Sequence, residues 1–186
     1  MKQIDILYQF NEKYAPYAGA SIASVFENNK HLDEIRVFIL GEDLSQNTKD
    51  RLSGFAAGHE RKLIFIDTEE LLEMMKDLGM PSYRGSYAAN MRLFAGSLPQ
   101  IDSERLLYLD SDTIADGRLD ELIDHDMKGL PVAMILDSLV RKHKLRLGFT
   151  EEEPYFNSGV MLFDLKEWRE RKCSERIAEH VKNVRA

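Results

Sequence analysis

Asp110 and Asp112 stand one residue apart where the apolar run Leu106-Leu107-Tyr108-Leu109 gives way to a polar turn. Two carboxylates so spaced, at the mouth of a strand, can face one cation, and their hard oxygens suit Mg²⁺ or Mn²⁺. A cation held there can bridge protein carboxylates to a diphosphate and neutralise charge on a departing phosphate. Aspartate also favours turns for backbone reasons, so the spacing alone leaves a metal site and a plain turn both open. An EF-hand is excluded. A loop beginning at Asp110 puts Glu121 at its twelfth position, but Ile114 stands at the fifth and Ala115 where the sixth needs glycine.

Further polar residues stand just past other apolar runs. Asn11 and Tyr14 follow Ile4–Phe10, and Tyr14-Ala15-Pro16-Tyr17 reads as a helix start. Asp137 follows Val132–Leu136, and Asn157 precedes Ser158-Gly159 and the run Val160–Phe163, a pattern that also makes a tight turn before a strand. Arg92, beside Leu93 and Phe94, reads by default as an exposed helix arginine.

The elements that would position these residues alternate. Ile4–Phe10, Ile35–Leu40, Leu63–Ile66, Arg105–Leu109, Val132–Leu136 and Val160–Phe163 read as strands. Between them, helical spacing marks Tyr17–Asn28, a helix capped by Ser45 and running to Ala57, and a third capped by Thr68 with Leu71, Leu72, Met75 and Leu78 on its apolar side. After a loop marked by Gly79, Pro81 and Gly85, a helix is predicted from Tyr87 to Ser97, and a closing helix from Leu165 to Val184 that buries Trp168. The methionines read as core filler. This alternation predicts an α/β fold with a mostly parallel central sheet, in which ligands gather at the carboxyl ends of the strands.

The 186 residues suit one domain with a sizeable core, and 44% hydrophobic with 31% charged residues is an ordinary globular composition. A net charge of -7 argues against nucleic acid as the partner. Arg141, Lys142, Lys144 and Arg146 form a local basic run, read first as a solvated face and second as a contact for a phosphate or an anionic membrane surface. Cys173, the single cysteine, excludes an internal disulfide or a cysteine zinc cage. His125, His143 and His180 read as surface residues. No apolar run approaches the roughly 18 residues that span a bilayer, and no signal segment opens the chain. A cytoplasmic protein, with peripheral contact to the inner face of the membrane as an addition, is the expectation.

In their order and spacing, four segments resemble the family 8 glycosyltransferases, which include bacterial lipopolysaccharide galactosyl- and glucosyltransferases and glycogenin. They are Asn11-Glu12-Lys13-Tyr14-Ala15-Pro16-Tyr17, Arg92-Leu93-Phe94, Leu107-Tyr108-Leu109-Asp110-Ser111-Asp112, and Tyr155-Phe156-Asn157-Ser158-Gly159-Val160-Met161-Leu162. The resemblance implies a GT-A fold and transfer of a hexose, galactose or glucose, from a UDP-sugar to a glycan or glycolipid acceptor with retention of configuration. It implies that Asp110 and Asp112, with Ser111 between them, hold Mn²⁺ or Mg²⁺ against the UDP diphosphate, and that Asn11 and Tyr14 meet the uridine. Arg92 would contact donor sugar or diphosphate, Asp137 the sugar hydroxyls, and Asn157 the donor-sugar pocket.

That family continues with an Asp-Gln-Asp type segment and a His-x-x-Gly-x-x-Lys-Pro-Trp motif whose histidine completes the metal site. Neither stands in this sequence. The expectation is one GT-A-type domain over 1–186, lacking the C-terminal segment as a fragment or a shortened member. Two alternatives remain open: a nucleotide-sugar-binding module without turnover, and a Mg²⁺-dependent phosphohydrolase of the haloacid dehalogenase type with Asp110 as nucleophile. In the latter, the Asp-x-Asp strand normally opens the fold, whereas here the N-terminal half of the chain precedes it.

Overall fold

A computed structural model describes residues 2–83, 85–137 and 141–185, without the side chains of 141–143 and 185. Val, Ile, Leu, Phe and Tyr dominate the runs that become strands, where branched and aromatic side chains pack on a pleated surface. These are β1 (Gln3–Asn11), β2 (Glu34–Glu42), β3 (Lys62–Ile66), β4 (Arg105–Leu109), β5 (Val132–Leu136) and β6 (Phe156–Asp164). They form a six-stranded sheet in the order β3-β2-β1-β4-β6-β5. The pairs β1–β2, β2–β3 and β1–β4 are parallel, and β6 runs antiparallel to both β4 and β5. The mostly parallel α/β sheet is therefore as the alternation predicts.

Period-two alternation sends the β1 side chains to opposite faces. Ile4, Ile6, Tyr8 and Phe10 join a core beneath α1 (Ala15–Asn28) and α2 (Gln46–Gly58). Leu7, Leu40, Tyr108 and Phe163 join the core on the other face. That face is covered by α3 (Glu69–Asp77), α4 (Ala88–Met91), a 3₁₀ turn (Arg92–Ser97), α7 (Leu165–Glu170) and α8 (Cys173–Arg185). Short α5 (Asp120–Ile123) and α6 (Arg141–Arg146) complete the elements.

Four expectations are corrected. Thr68 stands at the N-cap of α3, but its side chain makes no cap bond: its hydroxyl donates to Gly41 O at 2.8 Å, tying α3 to the end of β2, and Asp67 Oδ1 instead accepts from Glu69 N. The helix read from Tyr87 to Ser97 changes to 3₁₀ winding at Arg92, whose backbone N–H donates to Gln9 Oε1 at 2.8 Å instead of continuing the α-helical ladder. Asn157-Ser158-Gly159 is not a turn before a strand but lies inside β6, where the register with β5 jumps from Met134↔Met161 to Ile135↔Asn157. The closing helix is two helices, because Lys172 takes φ 51°, a left-handed conformation that ends α7 before α8 begins. Ser45 does cap α2, accepting from Thr48 N at 3.2 Å.

Candidate functional site

The carboxyl ends of β1, β2 and β4 and the start of β6 share one edge of the sheet, so the topology brings Asn11, Glu42, Asp110 and Asn157 to it. Asp110 is the first residue past β4, and its backbone N–H donates to Gly159 O at 2.7 Å, locking it against β6. Its Oδ1 accepts from Arg92 Nη1 at 3.0 Å and from the Tyr108 hydroxyl. Its Oδ2 points toward Gly159: a Cβ there would lie 3.0 Å from Asp110 Oδ2 and 3.1 Å from Asn157 Oδ1. A side chain at 159 would press on both oxygens, and Asn157 Oδ1 itself accepts from Gly159 N at 2.8 Å.

Arg92 is not the exposed helix arginine of the default reading. Its side chain is 12% exposed, and its guanidinium lies 4.4 Å from the Tyr108 ring centroid. Besides Asp110 it donates to Ser158 O at 3.0 Å and Ser158 Oγ at 3.3 Å. Burial pushes the Tyr108 hydroxyl well above the ordinary phenol range, with the Arg92 cation opposing and the Asp110 carboxylate reinforcing, so Tyr108 stays protonated and a donor.

Asp112 is exposed, and no described residue hydrogen-bonds or pairs with its carboxylate. Ser111 between them is buried. Below them the chain is pinned to α1: Thr113 Oγ1 donates to Asp110 O at 2.7 Å and lies 3.3 Å from Ser21 Oγ, itself 2.8 Å from the Tyr8 hydroxyl. The side chains of Ser24, Asn28 and Asn29 hold the backbone of Ala115, Gly117 and Leu119: Ser24 Oγ and Asn29 Oδ1 accept from Ala115 N and Leu119 N, and the Asn28 and Asn29 amides donate to Ala115 O and Gly117 O. Asn28-Asn29, legible in sequence only as a helix stop, therefore also fastens the loop that follows the aspartates.

At the β1 end, Asn11 Oδ1 is a buried acceptor without a hydrogen-bond partner among the described residues. It is the kind of orphan that a bound N–H donor would satisfy. Tyr14, partly exposed, ends a 3₁₀ turn (Glu12–Tyr14) with its ring 5.7 Å from that of Tyr17. Glu12 fastens this turn to α2, accepting from Thr48 Oγ1 at 2.6 Å, Ser45 N at 2.9 Å and Ser45 Oγ at 3.0 Å. The Thr48 hydroxyl foremost, then the Ser45 amide, hold the Glu12 carboxyl below its usual range.

Asp137 stands beside β6, its N–H donating to Tyr155 O at 2.8 Å, and lines a cleft of about 450 Å³ with Lys144, Glu151 and Tyr155. Lys144 is no part of a solvated basic face. It is buried, and its amine donates to Glu151 O at 2.6 Å and to Glu153 O. Arg146 is exposed, and the side chains of Arg141, Lys142 and His143 lie outside the described ones. Sequence reading missed Gln9, Tyr108, Ser21 and Glu12, because their role is to hold other side chains and that depends on strand neighbours. The one available signal was a polar Gln9 inside an apolar strand.

Two hard carboxylates, Asp110 with an Oδ2 that no described residue engages and Asp112 with neither oxygen engaged among the described residues, fit part of the shell of a hard divalent cation. Among the described residues no cluster of three or more His, Cys, Asp or Glu supplies a complete set. No described helix is long and apolar enough to cross a membrane.

The family model described as glycosyl transferase family 8 matches residues 5–186. A lipopolysaccharide 1,2-glucosyltransferase of Escherichia coli K12 is 27% identical over 179 residues, covering 93% of this chain and 51% of that protein. General stress protein A of Bacillus subtilis is 22% identical, covering 92% of this chain and 59% of its own length. Among solved structures, the galactosyltransferase LgtC in complex with donor and acceptor sugar analogues superposes with TM-score 0.76 at 26% identity, covering 97% of this chain and 66% of that one. The bifunctional glycosyltransferase WbbM superposes with TM-score 0.82 at 21% identity, over 97% of this chain and 35% of that chain. The fold is thus the GT-A type. The chain spans about half the length of the lipopolysaccharide glucosyltransferase it matches.

Proposed function

The chain belongs to glycosyl transferase family 8, and on that premise we propose that it forms the donor-binding part of a metal-dependent, retaining hexosyltransferase that uses a UDP-sugar. The observation that carries this reading is the place of Asp110 and Asp112 just past β4, with Asp110 Oδ2 toward Gly159 and an Asp112 carboxylate that no described residue engages. A divalent ion, Mn²⁺ or Mg²⁺, on Asp110 and Asp112 supplies charge neutralisation for the departing UDP diphosphate.

The protein's own groups do the rest. Asn11, with its orphan acceptor, suits the N–H of a uracil edge, and Tyr14 offers a ring for the base. Arg92 supports the anionic end through the Asp110 carboxylate that it holds. Asn157 and Asp137 orient the sugar hydroxyls, which a carboxylate or amide oxygen accepts. The acceptor is a glycan or glycolipid, in keeping with the lipopolysaccharide glucosyltransferase among the relatives. A cytoplasmic setting with peripheral membrane contact belongs to the same proposal.

Calorimetry with UDP, with and without Mn²⁺, tests the reading. Metal-dependent binding is expected, weakened at least about tenfold by Asp110→Ala with Asp112→Ala. Unchanged binding in that double variant removes the metal role. A second reading is favoured by the absence of a third acidic, histidine or cysteine ligand among the described residues: a module that binds UDP-sugar without turnover. Binding with no sugar transfer or hydrolysis over an Mn²⁺-containing assay would select it. A Mg²⁺-dependent phosphatase assay covers the phosphohydrolase alternative.

A further inference from the structure

The Asp110 carboxylate is held asymmetrically, and a buried chain of hydrogen bonds sets the asymmetry. Gln9, from β1, is 6% exposed and its Oε1 accepts from Arg92 N at 2.8 Å. That fixes the amide orientation, because a flipped Gln9 would set its NH₂ against a backbone donor. Gln9 thereby holds the start of the 3₁₀ turn from which Arg92 reaches Asp110. The Tyr108 hydroxyl donates to Asp110 Oδ1, where Arg92 Nη1 also donates at 3.0 Å. Oδ1 therefore carries two donors, while Oδ2 is left facing Gly159 and the Asn157 amide oxygen.

We propose that Tyr108 is a specificity-determining positioning residue: by occupying Asp110 Oδ1 together with Arg92, it makes Asp110 a one-oxygen ligand and so selects small octahedral divalent ions against Ca²⁺. Ca²⁺ takes more oxygens at longer distances and uses bidentate carboxylates, whereas Mg²⁺ demands octahedral geometry with short bonds. A carboxylate whose second oxygen is already bonded serves the smaller ion and deprives the larger one of its two-oxygen grip. This inference rests on the UDP–metal reading above and names the residues that tune that site. Hydrogen-bond partners of metal-ligating carboxylates commonly change metal affinity 10–100-fold.

The test compares Mn²⁺ binding, read from the EPR signal of free Mn²⁺ in the presence of UDP, with competition by Ca²⁺. The wild-type chain is set against Tyr108→Phe, which keeps the ring under Arg92, and Gln9→Met, which at similar size removes the acceptor that holds the Arg92 backbone N–H. The wild type is expected to prefer Mn²⁺ over Ca²⁺, and both variants to narrow that preference by about tenfold, with thermal unfolding followed in parallel. A purely structural role would lower the melting temperature and leave the Mn²⁺/Ca²⁺ ratio within twofold of wild type, and that result overturns the proposal. So does a wild-type chain that binds Ca²⁺ as tightly as Mn²⁺. Failure of the wild type to bind UDP in any metal-dependent way overturns the nucleotide reading itself, and this inference with it, a result separable from an unchanged ratio.

Discussion

An alanine at position 159 would bring its Cβ to 3.0 Å from Asp110 Oδ2 and 3.1 Å from Asn157 Oδ1, closer than ordinary packing allows. One of the two side chains would have to give by a few tenths of an ångström. Gly159→Ala is therefore expected to weaken Mn²⁺-dependent UDP binding several-fold while the melting temperature changes little, a split read by calorimetry beside thermal unfolding. Arg92→Lys is expected to act differently. A single ammonium cannot reach Asp110 Oδ1 and both Ser158 oxygens as the guanidinium fork does. Losing those contacts from a largely buried position should cost about 1–3 kcal/mol of stability as well as UDP affinity, so both measurements should move together.

Far from the site, the amino ends of β1 and β2 are joined by an ion pair. Arg36 Nε and Nη2 reach Asp5 Oδ1 and Oδ2 at 2.7 and 2.6 Å, and Nη1 reaches Asp102 at 2.9 Å. Burial pushes the Asp5 carboxyl up, but hydrogen bonds from Arg36, Ser103 and Gln3 outweigh it and leave it below the ordinary 3.8. A carboxyl lowered in the folded state stabilises fully above its unfolded value, and the contribution is lost as pH falls through the lowered value. Asp5→Asn should thus destabilise by roughly 2 kcal/mol at neutral pH, less than for a fully buried pair because Arg36 is partly exposed and keeps Asp102. The difference between variant and wild type should shrink as the pH is brought below 4, which chemical denaturation at pH 7 and pH 3 would show.

At the scale of the molecule, the helices on one face of the sheet tie the site to the C-terminal part of the chain. Trp168, buried on α7, donates from its indole N–H to Ser174 Oγ at 3.0 Å, and that hydroxyl donates to Leu93 O at 2.9 Å, next to Arg92. Gly96 in the same 3₁₀ turn leaves room for the indole: a Cβ there would come within 2.5 Å of Trp168 Cδ1. Gly96→Ala should overpack this contact and cost roughly 1–3 kcal/mol, lowering the melting temperature by about 2–4 °C per kcal/mol for a chain of this size. A shift in the fluorescence of Trp168, the only tryptophan, would report the displaced ring.

Strand positions, the α/β class and the placement of Asp110 and Asp112 past a strand end were legible in the sequence, because apolar periodicity and turn chemistry are local; Asn11, expected past β1, is instead its last residue. The antiparallel course of β6 was not, since the direction of a strand is set by the partners it meets. The same limit hid the change of winding at Arg92, which depends on the Gln9 amide from a strand remote in sequence. It hid the break at Lys172, and the exchange by which Thr68 bonds Gly41 instead of its own helix. The sequence by itself determined which residues carry oxygen and charge at the sheet edge. Only the tertiary structure decided which oxygens of those residues are already engaged and which remain free, because a hydrogen bond between strands or helices belongs to no local pattern.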